Sequence, residues 1–290
     1  MTVEADTIVW GGMTRAQLDA AYDNGRAVAD SVTRRDRWVE LSAAFRKQHA
    51  AELDLAYGPR PRNRIDLFRC GVVKAPLFAF IHGGYWQRNA KESFACMFEG
   101  PLARGFDVAA IGYTLAPEAT MTEIAAEIAA AVRWLRGDGP SHGVAEGRLI
   151  VSGWSAGGHL TATVLAMDEV DAGLAISGIY DVEPCRLNYL NDNLRLTAEE
   201  AVATSPIRHL PAHSAPVTLA YGTGELPELQ RQSVAYHEAR RTAGLPSELM
   251  ALDGLDHFSI MDELTRPDGR LVAAAQALVS APASFRAGTR

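Results

Sequence analysis

The sequence predicts an α/β fold, a mostly parallel central sheet with helices on both faces. Three observations point there. Short apolar runs alternate with longer stretches of helical periodicity, and the runs are apolar at successive positions rather than at every second one. The helical stretches are about ten to fifteen residues long, as crossovers between buried parallel strands require. At 290 residues with 48% hydrophobic side chains the chain can bury a large core, and residues 1–290 are expected to form a single domain.

The elements follow in order. From Thr14 to about Ala50 the pattern is polar and helical, with Leu18, Tyr22, Val28, Trp38, Leu41 and Phe45 at loosely helical spacing, so residues 1–50 read as a helical N-terminal extension. Leu53 to Phe68 holds two short strand-like runs around Tyr57-Gly58-Pro59, the second being Arg64 to Phe68. Strand then alternates with helix: Ala75–Ile81 and Ala90–Arg104, Asp107–Tyr113 and Met121–Leu135, Arg148–Gly153 and Gly157–Met167. Gly173–Ile179 is the next strand, followed by Val217–Tyr221 with Leu226–Ala243, then Ser247–Leu252 with a last helix near Leu271–Leu278. Between them Glu183–Ser205 is too long for a simple turn and is expected to form a cap insertion over the carboxyl ends of the strands. The small-residue tail after Ser280 is expected to fray.

Composition removes several classes of function. Twenty-eight Lys and Arg face 35 Asp and Glu, a net charge of −7 without a basic run, so nucleic acid is not an expected partner. Cys70, Cys96 and Cys185 fit neither a disulfide framework nor a thiolate metal site. Met1–Trp10 lacks a signal-peptide pattern and no apolar run approaches membrane-spanning length, so a cytoplasmic protein without membrane contact is expected. His209-x3-His213 has metal-ligand spacing, but Pro211 breaks the helix, and Gly222-x-Gly224 lacks the third glycine of a dinucleotide fingerprint. No metal and no cofactor are expected.

The chemistry gathers at three places. Gly153-Trp154-Ser155-Ala156-Gly157 lies between a strand and a helix, where a sharp turn would hold the Ser155 hydroxyl above the sheet. A serine is a poor nucleophile until a base takes its proton, and the base needs an anion on its far nitrogen. His257, past Ser247–Leu252, has the chain position of that base. Glu225, past Val217–Tyr221, is the favoured acid, with Glu228, Asp253 and Asp256 as competitors. The other histidines, 49, 82, 142, 159, 209, 213 and 237, read as packed or surface residues. At the end of Leu77–Ile81, His82-Gly83-Gly84-Tyr85-Trp86 can bring backbone amides of Gly83 and Gly84 close to a substrate, with Ala156 as a further donor to a developing oxyanion.

Together these residues resemble the α/β-hydrolase superfamily and, within it, the kynurenine formamidase (arylformamidase) group. The marks are His82-Gly83-Gly84-Tyr85-Trp86-Gln87, Ser177-Gly178-Ile179-Tyr180-Asp181, Asn188-Tyr189-Leu190-Asn191, Ser205-Pro206, and Gly224-Glu225-Leu226-Pro227-Glu228 through Arg231-Gln232-Ser233. The resemblance runs from roughly Leu18 to Phe258. It implies a serine hydrolase with Ser155, Glu225 and His257 as triad and no metal, acting on a small-molecule amide or ester. Two departures stand out: Trp154 where many relatives have histidine, and Glu225 where aspartate is common. On this reading Tyr85 is a further oxyanion donor, and Tyr85, Trp86, Trp154, Tyr113 and Phe258 are expected to stack on an aromatic leaving group such as that of N-formylkynurenine. A carboxylesterase with the same triad and a noncatalytic binding protein are the other readings. Oligomeric state is open, a homodimer among the options.

Overall fold

The computed structural model describes residues 7–49, 51–144 and 147–280, so the tail expected to fray lies outside the described residues. An antiparallel hairpin, β1 (Ile8–Trp10) and β2 (Met13–Thr14), opens the chain and is followed by α1 (Arg15–Ala21), α2 (Asn24–Ala27) and α3 (Ser31–Gln48). Thr14 starts α1 with a reciprocal capping box, its hydroxyl accepting from the Gln17 N–H while the Gln17 side chain accepts from the Thr14 N–H. Then come β3 (Ala51–Ala56), β4 (Arg64–Phe68), β5 (Leu77–Ile81), a 3-10 stretch at Lys91–Phe98 running into α4 (Glu99–Ala103), β6 (Asp107–Ile111) and α5 (Met121–Gly137). The chain continues with β7 (Leu149–Trp154), α6 (Ala156–Val164), β8 (Ala172–Ile176), three short helices α7 (Glu183–Arg186), α8 (Asn191–Leu194) and α9 (Ala198–Ala203), β9 (Val217–Gly222), α10 (Pro227–Thr242), β10 (Ser247–Leu252) and α11 (Arg270–Ser280).

The large sheet has eight strands in the order β10-β9-β8-β7-β5-β6-β4-β3. Five neighbouring pairs are parallel, while β3/β4 and β4/β6 are antiparallel. Parallel strands need both faces covered. On β5, Leu77, Ala79 and Ile81 enter one core while Phe78 and Phe80 enter the other. The chain leaves β5 for β6 on one side and returns to β7 on the other, so the crevice at the carboxyl ends of β5 and β7 is the topological switch point where such sheets take ligands.

Two elements differ from expectation. The helix anticipated over Ala90–Arg104 is 3-10 in its first half, a tighter coil that places Lys91, Phe94 and Met97 on one buried line at three-residue spacing. The extension contains the β1–β2 hairpin as well as helices. It is also tied into the body of the protein: Trp38 and Phe45 pack on Phe94 and Phe98, and Arg46 and Lys91 both pair with the buried carboxylate of Asp66.

Candidate active site

Ser155 alone makes the turn between β7 and α6, at φ 57° and ψ −115°. Positive φ at a non-glycine residue is strained and has to be held by its surroundings. The Ser155 N–H donates to Ile176 O at 2.8 Å, tying the turn to β8. Space explains the flanking glycines: a Cβ on Gly153 would sit 2.3 Å from Gly157 O, and one on Gly157 would sit 2.0 Å from Ile81 O.

The loop after β5 lies against this turn. A Cβ on Gly83 would fall 2.7 Å from both Trp154 O and Trp154 Cε3, so only glycine admits the approach. Gly84, Tyr85 and Trp86 all have positive φ, at 125°, 51° and 58°. Among the described residues the N–H groups of Gly83, Gly84, Tyr85 and Ala156 have no protein acceptor, which leaves them able to hold an oxygen that gains charge.

Distant segments hold the loop in place. Tyr85 donates its hydroxyl to Tyr22 O at 2.6 Å and accepts from Asn24 Nδ2 at 2.8 Å. Trp86 donates Nε1 to His159 Nδ1 at 3.1 Å, and the opposite nitrogen of that ring lies 2.8 Å from Thr204 O, which fixes the proton on Nε2. Burial pushes the His159 imidazole down to about 4, consistent with a neutral ring spending both nitrogens on structure. His82 is likewise pushed down to about 4 by burial; it stacks on Tyr113 with centroids 4.3 Å apart, and its carbonyl accepts the Tyr113 hydroxyl. Gln87 Nε2 donates to Leu190 O, so the segment expected to be a cap meets this loop directly.

On the far side of Ser155, Glu225 and His257 are joined by a 2.9 Å hydrogen bond between His257 Nδ1 and Glu225 Oε2, both side chains nearly or fully buried. The other oxygen, Oε1, accepts from the Ser177 hydroxyl at 2.6 Å and from the Gly222 N–H at 2.7 Å. A Cβ on Gly222 would lie 2.0 Å from Leu255 O, so glycine there lets the loop after β10 close onto the turn after β9. The competing acids are occupied elsewhere: Glu228 with Arg231 and Tyr22, Asp253 with the Thr223 hydroxyl, and Asp256 with the N–H groups of Phe258 and Ser259. No hydrogen bond joins the Ser155 hydroxyl to His257 among the described residues. Trp154 bridges the two, its ring 4.9 Å from that of His257 and its Nε1 donating to His257 O at 2.9 Å.

The five anticipated pocket aromatics separate into two sets, and Tyr85, nearly enclosed with its hydroxyl spent on Tyr22 and Asn24, falls with Trp86 and Tyr113. Trp86 and Tyr113 have no exposed surface and commit their polar atoms to His159 and His82 O. Trp154 and Phe258 instead flank the His257 ring. The sequence did not signal Tyr22 or Asn24 as part of this region, and it offered Ser177 only within a stretch shared with relatives, because each reaches the site through a contact distant in the chain. Among the described residues no cluster of His, Cys, Asp or Glu could hold a metal, and no helix is long and apolar enough to cross a membrane.

A strained serine between strand and helix, beside a glycine loop at the switch point of a mostly parallel sheet, defines a class, and the chain belongs to the α/β-hydrolase superfamily. It is a hydrolase of that superfamily. Residues 67–175 match the BD-FAE family. The chain is similar to kynurenine formamidase of Danio rerio, 29% identical over 88% of this chain and 93% of the relative, and to that of Salmo salar, 27% identical over 90% and 95%. Its fold matches the solved structure of a candidate thioesterase from Silicibacter sp. tm1040 with a TM-score of 0.81 and 30% identity, covering 89% of this chain and 98% of that one.

Proposed function

We propose that the protein is a serine hydrolase that removes the formyl group from an aryl formamide of the N-formylkynurenine type, with Ser155 as nucleophile, His257 as base and Glu225 as the acid that orients it. The observation carrying this reading is the buried Glu225–His257 hydrogen bond next to Trp154-Ser155 on its strained turn. The kynurenine formamidases similar to this chain over most of its length support the choice of substrate class.

The steps follow from the groups. His257 Nε2 takes the Ser155 proton as Oγ bonds to the formyl carbon, while Glu225 stabilises the imidazolium. The carbonyl oxygen becomes an oxyanion held by the N–H groups of Gly83, Gly84, Tyr85 and Ala156; losing one such donor costs about 10²–10³-fold in kcat. The C–N bond breaks as His257 returns the proton to the departing amine. Water, deprotonated by the same imidazole, then attacks the formyl-Ser155 ester, releasing formate and restoring the hydroxyl. Trp154 and Phe258 pack on the His257 ring and, at 3% and 4% exposed, brace the base from the core side.

The test compares N-formylkynurenine with p-nitrophenyl acetate, using Ser155→Ala as control. Faster turnover of the formamide, abolished by the substitution, is expected. Turnover of the ester alone would make the protein a carboxylesterase with the same triad. Activity surviving in Ser155→Ala would overturn the triad.

A further inference from the structure

We propose that Ser177 is a positioning residue for the acid of the triad: its hydroxyl holds Glu225 Oε1 so that Oε2 stays on His257. The inference rests on the triad reading above and adds to it a residue with no role in the proton transfers themselves.

Ser177 follows the last residue of β8, and its N–H donates to Ala220 O on β9 at 2.7 Å, which pins its backbone between the two strands. Its φ is 51°, a conformation that favours glycine or asparagine over serine. Backbone fit therefore does not account for a serine here. The hydroxyl does: it lies 2.6 Å from Glu225 Oε1, with Ser177 fully buried and the Glu225 side chain without exposed surface. The 2.6 Å separation is that of a strong hydrogen bond from a hydroxyl to a charged oxygen.

The need for such a contact comes from the acid itself. Glutamate has one more rotatable bond than aspartate, and its terminal torsion is soft. A bond to His257 alone would leave the carboxylate free to turn about that torsion. Two donors on Oε1, the Ser177 hydroxyl and the Gly222 N–H, fix the plane of the group and direct Oε2 at the imidazole. The Gly222 N–H holds Oε1 from the end of the acid's own strand, β9, whereas Ser177 holds it from the end of the neighbouring strand, β8. Ser177 thus registers the acid to the sheet edge that also carries Ser155, whose own N–H is bonded to Ile176 O one residue earlier.

Ser177→Gly is the decisive variant because it removes the hydroxyl while easing the backbone, and Ser177→Ala accompanies it. With p-nitrophenyl acetate as probe, kcat should fall about tenfold to hundredfold in both, the range for a lost hydrogen bond to a charged group, with KM held within about twofold. The thermal midpoint of Ser177→Gly should stay at that of the parent, and in a Glu225→Ala background Ser177→Gly should change kcat by less than about twofold. Parental kcat in Ser177→Gly, or an undiminished loss in the Glu225→Ala background, would overturn the assignment. The wider reading fails separately: it falls if Ser155→Ala retains activity, and it stands if Ser155→Ala is inactive while Ser177→Gly is unimpaired.

Discussion

The two sides of Ser155 are built on different principles. The loop after β5 is shaped by its backbone, with glycines where a Cβ would collide, three successive residues at positive φ, and buried rings pinned by Tyr22, Asn24 and His159. The loops after β8, β9 and β10 are joined by side-chain hydrogen bonds that run from Ser177 through Glu225 to His257. A group that must present fixed N–H donors is well served by rigid main chain. A group that must pass a proton needs side chains, and here a second side chain, Ser177, joins a backbone N–H in fixing the carboxylate.

The sharpest way to break this comparison is at the carboxylate. Glu225→Gln keeps the volume but not the charge, and kcat should fall by about 10⁴-fold while the fold survives, as measured by steady-state kinetics alongside circular dichroism. A loss of stability larger than the loss of rate would mean that the pair is structural. On the other side, Gly157→Ala puts a methyl group 2.0 Å from Ile81 O, and chemical denaturation should show a loss of about 3 kcal/mol or more.

Acid should weaken the loop side through its histidines. His82 and His159 ordinarily titrate near 6.5 in the unfolded chain and are pushed to about 4 by burial. A depressed folded value means stability that is present above pH 6.5 and is lost as pH falls toward 4. Between pH 7 and pH 5 each ring should remove on the order of 2 kcal/mol, and the unfolding free energy from urea titrations, followed against pH, should fall by that much less in His159→Gln than in the parent. The smallest effect belongs to Trp86→Phe, which keeps one aromatic ring and leaves His159 Nδ1 without its donor; the expected cost is about 1–2 kcal/mol in the unfolding free energy from denaturant titration.

The alternation of strand and helix was legible because buried parallel strands carry apolar residues on both faces, as Leu77–Ile81 does. The Ser155 turn and the Gly83-Gly84 loop were legible for a related reason: close backbone approach demands glycine, and glycine is visible in a sequence. Its place just past Val217–Tyr221 favoured Glu225 over Glu228, Asp253 and Asp256, but position alone could not exclude those three, because each also stands close behind a strand end and only packing decides which one faces His257. Trp86 and Tyr113 look like pocket aromatics in the sequence, yet folding encloses both and turns them into supports. Ser177 stood out only as part of the Ser177–Asp181 stretch, and its tie to the acid was not legible, since nothing in a string of letters joins residue 177 to residue 225.

The clamp that Tyr22 and Asn24 place on Tyr85 has an evolutionary corollary. On the proposed mechanism, selection acting on rate can reach the oxyanion loop through the opening helices, a stretch that carries none of the recognisable signature residues. Drift at Asn24, or at Leu18 and Tyr22, which the core encloses fully, would then retune turnover on the proposed mechanism without touching the loop itself.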